Sequence, residues 1–173
     1  MLPPLRFLVF CGTLWVPLGA SADVAAKPAD DRSHAGAVVA KPLVAAVNAV
    51  VPSDIGIPPA DFAPCPLEAL PSSRAKILPL LPPDHRRLIA DAARGRTQIR
   101  RGVRGFDLLA LLDDPVETTA DAAAIRAFFD ERTVDVALGS AVSSGPYPIS
   151  FDWAVVLDAE SDTLFSFILN CRD

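Results

Sequence analysis

The stretch Ile149-Ser-Phe-Asp-Trp-Ala-Val-Val-Leu157, Asp158-Ala-Glu-Ser-Asp162, Thr163-Leu-Phe-Ser-Phe-Ile-Leu-Asn-Cys171 decides the fold. Two apolar, β-branched and aromatic runs flank a short polar turn, the pattern of an antiparallel hairpin. Ile149, Phe151, Trp153, Val155 and Leu157 fall on one face of the first strand. Thr163, Phe165, Phe167, Leu169 and Cys171 fall on one face of the second. A five-residue turn, Asp158 to Asp162, pairs Leu157 with Thr163 and Trp153 with Phe167. A slip by one residue would turn Ser166 and Asn170 toward the face of Trp153, so this register is the expectation.

Upstream of the hairpin, Thr133 to Val142 alternates Val134, Val136 and Leu138 against Asp135 and Ala137, a half-buried strand. A loop composition, Ser143-Ser144-Gly145-Pro146-Tyr147-Pro148, joins it to the hairpin. A helix is expected over Thr119–Arg132, with Thr118 as its cap, Asp121 in its first turn, and Ile125, Phe128 and Phe129 at helical spacing. A short buried helix is expected over Asp107–Leu112, capped by Asp107. Pro82-Pro83-Asp84 opens another, Asp84–Arg94, with Gly95 as its stop. Thr97 to Arg104 reads as a short strand. The fold class that follows is α+β: two or three short helices, then an antiparallel β-meander, with a proline-rich N-terminal arm.

The first residues have another character. Arg6, the apolar run Phe7–Gly19 and Ala20-Ser21-Ala22 are the three parts of a secretory signal peptide (residues 1–22). The run is too short to cross a bilayer, which takes about 20 apolar residues. Lipidation at Cys11 is disfavoured because Phe10 stands where a small residue is needed. Cleavage near Ala22 is therefore expected, with a periplasmic or secreted chain starting at Asp23. Export places the mature cysteines, Cys65 and Cys171, in an oxidising compartment. An even count of two predicts one disulfide between them.

Eleven prolines lie between Pro28 and Pro83. Residues 23–60 read as a disordered or extended Ala/Pro-rich linker, and residues 61–173 as one α+β domain. That domain includes an arm, 61–83, clipped to the last strand through Cys65, which stands in a stiff Pro64-Cys65-Pro66 bracket.

The 173 residues carry a net charge of −5, with 13 Arg and only 3 Lys. A general nucleic-acid binder needs surplus cations, so that class is excluded as an expectation. Charge is unevenly spread. Asp84–Arg104 holds seven Arg and two Asp, whereas Gly105–Asp173 holds 13 acids and three Arg. The two halves either neutralise each other or leave Arg96, Arg100, Arg101 and Arg104 as a patch for an acidic partner, which the planar guanidinium fork suits. Tyr147 in its proline-flanked loop is a further contact candidate. The Ala- and Arg-rich, Lys-poor composition suggests a bacterial source.

Catalytic signatures are sparse. No Gly-x-Ser-x-Gly elbow, zinc spacing, phosphate loop or dinucleotide fingerprint occurs. Asp158-x-Glu160-x-Asp162 begins like a calcium loop but has Thr163 and Leu169 where glycine and an acidic ligand are needed. No metal or cofactor is therefore expected, and no catalytic residue is assigned. The favoured function is an exported, non-enzymatic binding module of the inhibitor, immunity or envelope-accessory type, recognising a protein with an acidic surface. One alternative is a small secreted hydrolase using His85 with a serine or carboxylates. The other is a small-ligand carrier, which requires a cavity between the Trp153 face and the helices.

Overall fold

A computed structural model describes residues 30–51, 58–91, 96–112, 119–142, 146 and 148–172. The signal segment, residues 113–118 and Tyr147 lie outside them. The order of elements is α1 (Asp30–Val50), β1 (Asp61–Pro64), α2 (Arg74–Ile77), α3 (Pro83–Asp91), β2 (Thr97–Arg104), α4 (Ala120–Asp130), β3 (Thr133–Val142), β4 (Ser150–Asp158) and β5 (Thr163–Arg172). The strands form one antiparallel sheet in the order β1-β5-β4-β3-β2. The chain is α+β, as its pattern predicts.

Both faces of the sheet are covered. On one side, α1, α4 and the 3₁₀ turn Leu109–Leu111 pack on Val134, Val136, Ala154, Val156, Phe165 and Phe167. On the other, the chain from Cys65 to Ile89 covers Phe151, Trp153, Val155, Leu157, Leu164 and Ile168. Central strands buried on both faces read as continuous apolar runs, which explains Trp-Ala-Val-Val-Leu in β4 and Leu-Phe-Ser-Phe-Ile-Leu in β5.

The double cover corrects the hairpin register. Asp158 pairs with Thr163, Val156 with Phe165, Ala154 with Phe167 and Trp153 with Ile168. The turn has four residues, Ala159 to Asp162, and Trp153 is offset by one from its expected partner. Burial on one face alone penalises the slip that turns Ser166 inward. With an apolar layer on each side, neither phase loses burial, and Ser166 gains a buried partner.

The expected linker, residues 23–60, is corrected where it is described; 23–29 and 52–57 lie outside the described residues. Asp30–Val50 is a 21-residue helix despite Pro42. Gly36, Ala40, Leu43, Ala46 and Val47 recur at helical spacing and are buried. Pro42 lies on the exposed side, and the carbonyl it cannot serve belongs to Val38, 72% exposed and open to water. An interior proline costs about 3 kcal/mol, which tertiary packing of the apolar stripe offsets. Asn48 fastens the next segment, with Nδ2 donating to the Ala60 carbonyl (3.2 Å) and Oδ1 accepting from the Ala60 N–H (2.8 Å). Gly36 marks the closest approach: a Cβ there would lie 2.5 Å from the Ser161 carbonyl oxygen and 2.6 Å from Thr163 Oγ1.

Helix α4 starts one residue later than its expected cap, because Thr119 Oγ1, not Thr118, accepts the Ala122 N–H (3.1 Å). The expected helix 107–112 reduces to the single 3₁₀ turn, with Asp107 exposed. Phe106 packs edge-on against Phe129 at 5.5 Å.

The disulfide expectation fails on strand direction. The arm does lie along β5, but at its start: Pro64 pairs with Thr163, and the Cys65 N–H donates to the Asp162 carbonyl (2.7 Å). Cys171 lies at the far end of β5, opposite Phe151. Eight residues of strand separate the two positions by roughly 26 Å at ~3.3 Å per residue, against the 4.4–6.8 Å between Cα atoms that a disulfide needs. Cys65 is a buried free thiol. What holds the arm is β1 pairing, its own apolar contacts, and the Leu70 N–H on Asp135 Oδ2 (3.0 Å).

Candidate functional site

The sequence singles out four arginines, and the fold separates them. β2 is an edge strand, and it is irregular between Arg100 and Val103, where Gly102 has φ +58°. Before the irregularity, Gln98 pairs with Leu138 and Arg100 with Val136, so both lie on the α1/α4 side. Arg96, two residues before Gln98, continues that alternation. Past the irregularity, Arg101 turns to Asp135, with Nη1 and Oδ2 3.4 Å apart, and the Gly102 N–H donates to Asp135 Oδ1 (2.9 Å). Asp135 thus ties the bulge of β2 and the arm at Leu70 to β3. Arg104, opposite Thr133, is exposed on the other side.

Arg96 and Gln98 line a shallow groove of about 180 Å³ at the β2 end of the sheet. Its apolar lining is Leu111, Leu138, Trp153 and Leu169. Within it, Ser140 Oγ donates to Asp152 Oδ1 at 2.7 Å. The groove therefore joins apolar side chains to one basic residue, Arg96, and one carboxylate, Asp152. Arg96, Arg100 and Arg104 are exposed and form no ion pair among the described residues.

His85 is elsewhere, on the buried side of α3 and 1% exposed. Its Nε2 lies 2.8 Å from the Pro59 carbonyl and its Nδ1 2.5 Å from Ser166 Oγ. A carbonyl can only accept, so Nε2 carries the proton of a neutral ring and Nδ1 accepts from the Ser166 hydroxyl. Burial lowers the His85 pKa below its ordinary 6.5, against hydrogen bonds to main-chain carbonyls and the charges of Asp61 and Asp84, which raise it. The pair has the composition of an activated serine, but Ser166 has no exposure and the ring's second nitrogen meets a main-chain carbonyl instead of a carboxylate. It pins three segments together: residues 58–60, α3 and β5.

The acidic turn after β4 is likewise internal. Asp158, fully buried, accepts from Arg132 Nη1 (2.5 Å), Ser161 Oγ (2.7 Å) and the Glu160 N–H (3.2 Å). Arg132 also lies 4.5 Å over the Phe128 ring. All three carboxylates of the calcium-like pattern therefore face cations: Asp158 meets Arg132, Glu160 lies 4.0 Å from the same guanidinium, and Asp162 lies 3.8 Å from Arg32. Among the described residues no cluster of His, Cys, Asp or Glu could hold a metal ion. No helix among them is long and apolar enough to cross a membrane.

Sequence reasoning missed the groove because its walls come from β2, β3, β4, β5 and the 3₁₀ turn, brought together only by strand order. Ser166 falls on the outer side of the hairpin in the register expected from sequence, and the structure buries it. The chain was compared with protein-family models, curated proteins and solved structures, and none of them matches it.

Proposed function

We propose that this chain is an exported, non-enzymatic binding module that recognises a protein partner with an acidic surface. The observation that supports it most is the edge strand β2 with the residue before it, which present Arg100 and Arg96 to solvent beside a groove of mixed polarity, with no carboxylate paired to either among the described residues. Charged side chains and a bulge on an edge strand also prevent unwanted strand pairing, so partner binding must be tested separately from solubility.

The test is affinity capture from a cell-envelope extract with the wild-type chain and with a variant carrying Glu at positions 96, 100, 101 and 104. Loss of an acidic partner in the variant supports the reading; identical captured proteins overturn it. The export component predicts a mature N-terminus at Asp23, and exported protein that retains Met1 to Ala22 overturns that component. The hydrolase alternative has the His85–Ser166 contact in its favour and the burial of both side chains against it. The carrier alternative has in its favour that Trp153 lines the groove, and against it that the groove holds only about 180 Å³ and that Trp153 also belongs to the packed layer with Ile77, Leu81 and Ile89.

A further inference from the structure

We infer that the groove is a binding site for a free α-amino acid with an aliphatic side chain of about leucine size, its carboxylate on Arg96 and its ammonium on Asp152. The inference goes beyond the binding-module reading and does not rest on it, because the ligand is a small molecule and not a protein partner.

Strand register places the two charges in one row. Ser140 of β3 is opposite Asp152 of β4, and Asp152 is opposite Leu169 of β5. Thr97 is opposite Gly139, so Arg96, the residue before it, continues the register opposite Ser140. Residues directly opposite share a face of the sheet, and Leu138, Ala154 and Leu169 fix this face as the α1/α4 side. Arg96, Ser140, Asp152 and Leu169 therefore stand side by side across the sheet. At ~4.8 Å between strands, the Cα atoms of Arg96 and Asp152 are about 10 Å apart, and no ion pair joins Arg96 to a carboxylate among the described residues. An α-amino acid fits between them. The guanidinium takes its carboxylate through two parallel hydrogen bonds. Its ammonium donates to Asp152, whose carboxylate offers about four acceptor sites, one of them serving Ser140 Oγ at 2.7 Å. Leu111, Leu138 and Leu169 give the side chain an apolar seat. A ligand with only negative charge would meet Asp152, and one with only positive charge would meet Arg96, so the row selects a zwitterion. The groove's volume of about 180 Å³ is below the roughly 300–1,000 Å³ of pockets that take drug-sized ligands, which favours a single amino acid over a peptide.

The test is isothermal titration calorimetry of the full chain with the proteinogenic L-amino acids. L-leucinamide, which lacks the carboxylate, and isocaproate, which lacks the ammonium, follow. Saturable binding is expected for the aliphatic amino acids, with both analogues at least about tenfold weaker, as the loss of a charge-assisted contact implies. R96Q and D152N are each expected to weaken leucine binding by about the same factor. R100Q should leave it within about twofold, as for an uninvolved surface charge. Asn at position 152 keeps an acceptor for Ser140, and Arg96 and Arg100 are exposed, so unchanged circular dichroism is expected of all three variants. No binding of any amino acid at millimolar concentration overturns the inference; this is also the outcome if Arg96 and Asp152 merely neutralise each other across the row. Equal binding of leucinamide or isocaproate, or equal damage from R100Q, overturns it as well. None of these results decides whether affinity capture of an acidic protein depends on the arginines, so the two readings fail separately.

Discussion

Acidification should loosen the domain through one residue, His85. Its neutral ring is satisfied on both sides, by the Pro59 carbonyl at Nε2 and the Ser166 hydroxyl at Nδ1. A second proton would sit on Nδ1 and face the hydroxyl. The serine would then have to turn its own proton away from the ring, where Val155, Leu164 and Ile168 are its neighbours on this face and Asp61 of β1 stands opposite it. The folded-state pKa is depressed below 6.5, so on acidification the unfolded chain takes up the proton first. The stabilisation is therefore complete above about pH 6.5 and is lost as pH falls through the folded pKa. Between the two pKa values the slope approaches about 1.4 kcal/mol per pH unit. Urea denaturation followed by circular dichroism, from about pH 7.5 to about pH 5.5, measures it. His85→Gln removes the titrating group, so the difference between wild type and variant isolates its contribution from His34 and the carboxylates. Ser166→Ala leaves Nδ1 buried without a donor and should cost about 1–3 kcal/mol at neutral pH. A wild-type stability that is flat across this range, or an H85Q variant with the same slope, refutes the reasoning.

Three further outcomes follow from packing. Gly36→Ala places a methyl group against the Ser161 carbonyl, a main-chain atom that cannot turn aside, so α1 must lift; overpacking of this kind costs about 1–3 kcal/mol, and an unchanged melting temperature would count against the docking of α1. Arg132→Met strands the buried carboxylate of Asp158 and should cost about 3–5 kcal/mol, with partial recovery in the R132M/D158N double variant; additive effects in that double-mutant cycle would show the pair to be uncoupled. Cys65 should resist a thiol reagent in the native protein and react once unfolded. Burial raises its pKa, with Asp162 adding to the rise and an amide hydrogen bond from Leu67 opposing it; a Cys65–Cys171 peptide in non-reducing mapping would overturn the strand order.

The elements that local chemistry specifies were legible in the chain. β3 runs Thr133–Val142 as its alternation implies, and α3 and α4 begin within a residue or two of their Pro and Thr signals. α1 was obscured by a proline, because the rule against interior proline is a local cost and the compensation is tertiary. Its stripe of Ala40, Leu43, Ala46 and Val47 was there to be counted. The arginines were legible as a set but not as a geometry. The bulge at Gly102 divides them, and that depends on Asp135 of another strand accepting from its amide.

The wrong register, the wrong disulfide and the overlooked serine have one cause. Each expectation holds only for a sheet with one buried face and the arm laid over its far end. With a layer on each side, the phase of the hairpin is decided by the turn, where Asp158 closes on Arg132, Ser161 and the Glu160 amide instead of opening a fifth turn residue. That phase aims Ser166 at α3, and His85 there supplies the acceptor that makes a buried hydroxyl tolerable. The same arm that brings α3 over the sheet enters at the start of β5, which carries Cys65 away from Cys171. The hairpin therefore organises the chain, but it does so through its polar residues. Phe, Trp and Val suit either phase of a sheet buried on both sides, whereas Asp158 and Ser166 each have a partner in only one.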